Sequence, residues 1–430
     1  MDKNQIITTF AKNREMTNTI KPLNPFYTGI MIPDKYFCDR EKETDSIIRM
    51  IQDGKNVVLK AQRRIGKSSL IQHIFNQKEI QDNYNTLYVD VFGTKKLDDF
   101  HLAFQNKLIN APFARTAKIK KNFEMLAKGI NITLGEINPA SGSITLPKIG
   151  TSPSQIPLLP LENLFDFLGK TKKPNIVVFD EFQQIQYYPE RTAAILRSFT
   201  QTLNNTKFIF SGSSRHMLTE MFQMASQPFY KSAEPVDIKA LPRDTYSEFC
   251  IRLFSEYEKE IGQEAVNFLY SLFSGETAPM QETMNYVFRK TRPNHKADIN
   301  TIRDAIDDLL DNRDASYREI LNTMERENTR NTLFCIAALG IADNLTSSKI
   351  MKNYRLDSAS NVQKSLLSLQ DERRPLIRKL SKGVYMIDDR LLELWIAREG
   401  NYLDIKYASA EERFLKQQSL ENPVFHPTKP

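Results

Sequence analysis

The sequence predicts an α/β protein: a parallel sheet bearing a phosphate-binding loop, then an all-α region, then a small helix–turn–helix–hairpin unit. Three observations predict it. The stretch Ala61-Gln62-Arg63-Arg64-Ile65-Gly66-Lys67-Ser68-Ser69-Leu70 sits between an apolar run, Val57-Val58-Leu59, and a helical pattern, Leu70-Ile71 with Ile74-Phe75. The segment Asn175-Ile176-Val177-Val178-Phe179-Asp180-Glu181 carries four consecutive apolar residues after Pro174, the mark of a strand buried on both faces. Finally, two short helical patterns and a hairpin follow one another between Thr346 and Ile387.

The first stretch has the strand–loop–helix setting of a P-loop. Backbone N–H groups of such a loop face inward and cradle phosphates, aided by the positive end of the following helix. Ala61, Arg63, Arg64, Ile65, Gly66, Lys67, Ser68 and Ser69 are therefore candidate nucleotide-binding residues. Lys67 would reach the β- and γ-phosphates, and the Ser68 hydroxyl would ligate Mg²⁺. Ala61 stands where the pattern G-x-x-x-x-G-K-[ST] has its first glycine, and a Cβ there is awkward wherever φ is positive. In the second segment the two carboxylates fall at the C-terminal end of the strand, where open α/β sheets bind their ligands. Asp180 would hold the metal with Ser68, and Glu181 would polarise the attacking water. The alternative for this acidic pair is an N-cap on a helix starting at Phe182. The two motifs, in this order and separated by enough chain for a βα unit, predict ATP or GTP binding. No guanine-reading Asn-Lys-x-Asp occurs.

The 430 residues allow two or three domains, and 40% hydrophobic with 26% charged residues is ordinary for a globular chain. Cys38, Cys250 and Cys335 are far apart, and the five histidines do not cluster, so neither a disulfide framework nor a His-based metal site is expected. No apolar run is long enough to span a membrane, and Met1–Gln5 lacks a signal-peptide core, so the expected location is cytoplasmic. A net charge of +7 permits contact with nucleic acid without requiring it.

Residues 1–24 read as a flexible arm and 25–241 as the nucleotide-binding core, with an insertion at about 100–170. After a helix with Ile47, Ile48 and Ile51 on its apolar face, a second strand is expected at Leu87–Val91. The insertion holds a basic helical stretch around Lys118–Lys121, a hairpin of Ile132–Leu134 with Ile144–Leu146, and a Pro/Ser-rich loop from Pro147 to Pro160. A helix over Glu190–Leu203 leads to a strand at Lys207–Ser211, ending in Gly212-Ser213-Ser214. Ser213 would face the γ-phosphate from the strand beside that of Asp180, as a sensor of hydrolysis, or these serines cap the helix Met217–Phe222. A short strand is expected at Val236–Leu241, and helical periodicity runs throughout 242–342.

Residues 343–400 read as a winged helix. Thr346–Tyr354 and Asn361–Leu369 are its helices, with Val362, Leu366 and Leu369 inward, and Leu376–Leu380 with Val384–Ile387 form its hairpin. Residues 346–398 hold eleven Lys or Arg against six Asp or Glu. Lys364 on the second helix, with Arg378, Lys379 and Lys382 on the hairpin, are the candidate DNA contacts; the alternative is a domain for protein contacts whose basic side chains are merely solvated. Residues 401–430 read as a tail, with Asn422–Pro430 disordered.

With these motifs placed, the chain resembles the archaeal-type ATPases of the STAND branch of AAA+ P-loop proteins, from about Asn24 to Ala397. The resemblance rests on Phe37-Cys38-Asp39-Arg40-Glu41, on Arg63–Leu70, on Phe179-Asp180-Glu181-Phe182, and on Gly212-Ser213-Ser214 followed by Pro228-Phe229-Tyr230. It implies a three-layer P-loop NTPase core, a helical lid at 242–342 and a C-terminal winged helix, with an ADP-bound resting form opened by exchange for ATP. It also implies that Arg40 lies beside the adenine. The chain departs from the family pattern at Lys231-Ser232, where an Arg often follows the Pro-aromatic motif, and at Thr277, where the lid motif has proline. The nuclease-like domain that many relatives append is not expected in the short remainder after Ala397.

The expected function is thus a Mg²⁺-dependent ATPase in which ATP or ADP repositions lid and winged helix. Lys67, Glu181 and Ser213 serve catalysis, and Ser68 and Asp180 the metal. A DNA-binding regulator with ATP as allosteric ligand is the alternative. A scaffold whose protein partner docks on the 100–170 insertion or on the lid is a third reading. Oligomeric state is not legible.

Overall fold

The computed structural model describes residues 21–115, 159–371 and 375–421. The expected basic stretch at Lys118–Lys121, the Ile132–Leu146 hairpin, nearly all of the Pro/Ser-rich loop, most of the 1–24 arm and the Asn422–Pro430 segment lie outside the described residues. Strands β1 (Val57–Ala61), β2 (Asn85–Asp90), β3 (Asn175–Asp180), β4 (Thr206–Gly212) and β5 (Glu234–Ile238) form one sheet in the order β2-β3-β4-β1-β5. Every neighbouring pair is parallel. Parallel neighbours need crossovers, and helices supply them. Helix α1 (Glu41–Gln52) precedes β1; α2 (Lys67–Asn76) and α3 (Lys78–Asn83) lie between β1 and β2. Helices α4 (Leu97–Ile109) and α5 (Leu161–Gly169) precede β3, α6 (Thr192–Thr202) precedes β4, and α7 (Arg215–Gln223) precedes β5.

The period-2 alternation of each strand sorts its side chains into two different cores. Val177 and Phe179 of β3, Phe208 and Phe210 of β4, and Leu87 and Val89 of β2 join Phe100, Phe104, Phe165, Leu196 and Phe222 from α4–α7. On the opposite face, Ile176 and Val178 of β3, Ile209 of β4, and Val57, Leu59 and Ala61 of β1 meet the aliphatic residues of α1–α3, among them Ile47, Ile51, Leu70 and Ile74. The result is a helix–sheet–helix sandwich. Asp180 has the parity of Ile176 and Val178, so its carboxylate emerges on the α2 face.

Beyond the sheet come α8 (Arg243–Ser255), α9 (Gln263–Phe273), α10 (Thr277–Lys290), α11 (Ile299–Asn322) and α12 (Glu327–Leu339). The helical periodicity of this region conceals a two-residue parallel ladder, β6 (Glu260–Ile261) with β7 (Lys296–Ala297). Asp298 opens α11 with a capping box, its side chain accepting from Thr301 N at 2.9 Å. The winged helix follows: α13 (Ser348–Asn353), α14 (Ala359–Leu369), the antiparallel pair β8 (Ile377–Ser381) and β9 (Val384–Ile387), and α15 (Arg390–Glu399). Val362, Leu366 and Leu369 are buried, as the pattern of α14 requires.

Residues 401–421 correct an expectation. They are not a tail but two further helices, α16 (Leu403–Ala408) and α17 (Ala410–Glu421), which bury Tyr407 and Ala410. Their polar sequence hid this, because ion pairs anchor them as much as apolar contact does. Glu393 of α15, fully buried, faces Arg390, Lys406 Nζ at 3.0 Å and Arg413 at 2.5 Å. Burial alone would raise its pKa, but Arg390, Arg413 and Lys406 hold it down to about 2. The helices α8–α12, the winged helix and these last two helices share one apolar core, which also takes in Phe26 and Tyr36.

Glu393→Gln leaves three buried cations facing a neutral amide and should destabilise the fold by about 3–5 kcal/mol in chemical denaturation. In the wild type, the stability that ionised Glu393 contributes is complete above about pH 4.5 and is lost as the pH falls toward about 2.

Candidate functional site

The loop between β1 and α2 turns through two left-handed residues, Arg64 at φ 64° and Gly66 at φ 88°. Gly66 is the N-cap of α2 and offers no side-chain cap, so the first N–H groups of the helix are left for another acceptor. Ala61 ends β1 fully buried, with no positive φ, and its methyl group packs in the aliphatic core. The missing first glycine therefore causes no backbone strain. Ile65 is buried beneath the loop, and Ser69 is half-buried on α2.

Four elements converge at the end of the sheet. Lys67 Nζ lies 2.6 Å from Asp180 Oδ1 and 3.1 Å from Glu181 Oε1. Ser68 Oγ donates to Asp180 Oδ2 at 3.1 Å, and the Tyr88 hydroxyl of β2 donates to the same oxygen. Glu181 Oε2 accepts from Gln183 Nε2 at 2.6 Å and from Ser213 Oγ at 2.7 Å. Arg63 Nε donates to Ser213 Oγ at 3.3 Å. Burial would raise the pKa of both carboxyls, but the Lys67 ammonium outweighs it and holds both below their ordinary values. Burial and the Asp180 charge push the Tyr88 phenol upward, so it stays a donor. The site thus pairs one buried ammonium with two ionised carboxylates and a ring of neutral donors. Asp180 and Ser68 offer hard oxygens suited to Mg²⁺, an ion that fills its remaining positions with water and phosphate oxygens. Among the described residues no group of three His, Cys, Asp or Glu could hold a metal without such help.

The acidic pair does not cap an α-helix; Phe182–Tyr187 is a 3₁₀ turn without a side-chain cap bond, entered through Glu181 at φ 55°. Other residues singled out in the sequence lie elsewhere. Arg40, buried, donates to Lys239 O at 2.6 Å, to Ile65 O at 3.4 Å and to Glu43 at 2.8 Å, so its guanidinium is engaged by protein groups behind the loop. Arg64 turns to the winged helix. Its Nη1 lies 3.0 Å from Asp388 Oδ2 and its Nη2 3.9 Å from Asp389, while Arg63 approaches Asp388 at 3.6 Å. The Arg64 carbonyl also accepts from Ala278 N at the start of α10, at 2.9 Å.

Lys364, Lys379 and Lys382 are exposed, and none forms an ion pair with a described residue. Arg378, the fourth candidate, is half-buried and differs from these lysines in having an ion-pair partner. It lies 2.9 Å from the fully buried Glu276, a carboxyl that needs a cation once removed from water. Tyr88, Gln183 and Asp388 escaped sequence reasoning. Tyr88 has a faint signal, sharing the parity of the strand end, whereas nothing local marks the other two. No helix among the described residues is long and apolar enough to cross a membrane.

No curated protein matches this chain. Among solved structures it is similar to the Walker-type ATPase of Pyrococcus abyssi, at 18% identity over 86% of this chain and 99% of that one, with a TM-score of 0.58. It is also similar to the ORC2 protein of Aeropyrum pernix, at 13% identity over 90% and 99% of the two chains, with a TM-score of 0.49. At 18% identity the likeness to the Pyrococcus abyssi protein is one of fold. Residues 315–398 match the family described as "probable winged helix domain". Residues 37–282, more than half of the sequence, match "ATPase domain predominantly from Archaea", and they contain the loop, both carboxylates and Ser213. The chain therefore belongs to this family of ATPase domains and couples its nucleotide-binding core to a winged helix.

Proposed function

We propose that the protein is a Mg²⁺-dependent ATP-hydrolysing switch of the STAND branch of AAA+ P-loop proteins, its core at 25–241, its lid at 242–342 and its winged helix at 343–400. The observation that carries this reading is Arg64. One P-loop residue bonds through its side chain to Asp388 of the winged helix and through its carbonyl to Ala278 of the lid. A loop that rearranges around phosphates shifts both contacts together.

In the hydrolytic step Lys67 neutralises phosphate charge, and Ser68 and Asp180 would hold Mg²⁺, which when bound supplies Lewis-acid polarisation of the phosphate oxygens. Glu181 Oε1 accepts a proton from water, and Ser213, hydrogen-bonded to Glu181 and Arg63, reports the γ-phosphate position. Lys67→Ala should weaken nucleotide binding by roughly 100-fold, measured with a fluorescent ATP analogue. Glu181→Gln should keep binding and lower turnover by roughly 10²–10⁴-fold; normal hydrolysis by that variant would remove Glu181 as the base. Asp388→Asn, which weakens the hold on both arginines, should speed release of a fluorescent ADP analogue by roughly 5- to 100-fold.

A second reading, DNA contact with ATP as allosteric ligand, is favoured by one observation: three lysines of the winged helix are exposed without described ion-pair partners. Three phosphate contacts predict a slope of about −2.7 for log affinity against log salt. A duplex titration by anisotropy with no salt dependence, unchanged by Lys364→Ala, would remove this reading.

A further inference from the structure

Gln183 is buried to 5% exposure in the turn after β3, two residues beyond Glu181. Its Nε2 donates to Glu181 Oε2 at 2.6 Å. Ser213 reaches the same oxygen from the end of β4, through Oγ at 2.7 Å and its backbone N–H at 3.3 Å. The other oxygen, Oε1, faces Lys67 Nζ at 3.1 Å. The two oxygens of one carboxylate therefore have different surroundings: Oε2 is held by neutral donors, and Oε1 is turned toward the phosphate-binding loop.

Two observations show how specific this placement is. Gln183 Oε1 is buried with no hydrogen-bond partner, a cost of about 1–3 kcal/mol that the amide bears while its N–H end is committed to Glu181. That same oxygen fills the space beside Gly212, where a Cβ would lie 2.0 Å from it. Gly212 has no positive φ, so space rather than backbone freedom accounts for a glycine there.

We propose that Gln183 is a positioning residue for hydrolysis: with Ser213 it fixes Glu181 Oε2, so that Oε1 is the atom that takes the proton of the attacking water. This rests on the reading of Glu181 as the base. In the step, an O–H bond of water breaks and its proton passes to Oε1. The water oxygen bonds to the γ-phosphorus, and the bond to the bridging oxygen breaks, leaving its electron pair on ADP. Gln183 exchanges no proton and touches no reacting atom. Gly212 provides the room its amide occupies.

The test measures kcat for ATP hydrolysis and Kd for a fluorescent ATP analogue on the full chain carrying Gln183→Ala, Gln183→Met, Gly212→Ala, or Gln183→Ala with Gly212→Ala. Gln183→Met keeps the bulk and loses the donor. Each single variant should lower kcat by roughly tenfold or more while Kd stays within about twofold, the loss of one hydrogen bond to a charged group. The double variant should be no slower than Gln183→Ala alone, because with the amide gone the added methyl group meets only the flexible end of Leu218, whose Cδ1 would lie 3.1 Å away. Unchanged kcat, losses that multiply in the double variant, or Kd weakening in step with kcat would each overturn the proposal. Glu181→Gln separates the two levels. If it hydrolyses ATP normally, the base is misassigned. If it is inactive while the Gln183 and Gly212 variants run at full rate, the positioning role alone fails.

Discussion

One buried ammonium organises the functional end of the sheet. Lys67 stands between Asp180 and Glu181, and a charge so deeply placed persists only with counter-charge and hydrogen bonds around it. Everything nearby follows from meeting that demand. The carboxylates must come from the end of a strand that faces α2, which the parity of β3 provides. Their remaining lone pairs must be met in turn, so Ser68 and Tyr88 serve Asp180, and Gln183 and Ser213 serve Glu181. Strands β2, β3 and β4 and the loop after β1 are thereby tied together at one place. A phosphate group offers the ammonium the same kind of partner as a carboxylate does. On the reading proposed above, exchange of one for the other frees the carboxylates for metal and water.

The joint where core, helical region and winged helix meet obeys the same rule on a larger scale. Glu276 is fully buried and meets Arg378; Asp388 is nearly so and meets Arg63 and Arg64. Burial raises the pKa of Glu276 despite its cations, so its charge depends on those neighbours staying in place. Buried ion pairs add little net stability against apolar packing but are costly to break one-sidedly. They therefore specify which surfaces meet, more than they hold them together.

What could be read from the sequence was local. Ile176–Phe179 announces a strand because a doubly covered strand has no polar face, and Gly66-Lys67-Ser68 announces a phosphate loop because few other structures want those residues between a strand and a helix. The winged helix was legible in the spacing of Val362, Leu366 and Leu369. The unread parts were contacts between distant positions. Arg64 and Asp388 are 324 residues apart, and neither carries a local sign of the other. Arg378 looked like a surface cation because its partner, Glu276, lies in another helix's approach. α17 looked like a tail because its buried side is largely Arg413 and Gln417, polar residues whose partners are elsewhere. The ladder between β6 and β7 is too short to leave a periodic trace.

The position of Arg40 has a mechanical consequence. Phe26 and Tyr36 pack in the core shared by the helical region and the winged helix, although the sheet follows them in sequence. The sheet body is thus joined to that second body by two chain connections, one at residues 37–40 and one at residues 239–242. Arg40 ties them side by side through Lys239 O, and Asp39 and Arg40 both carry left-handed backbones. The two connections, held side by side by Arg40, leave the sheet body and enter the second body at one place beside the phosphate-binding loop, where Arg64 also meets Asp388 and Ala278.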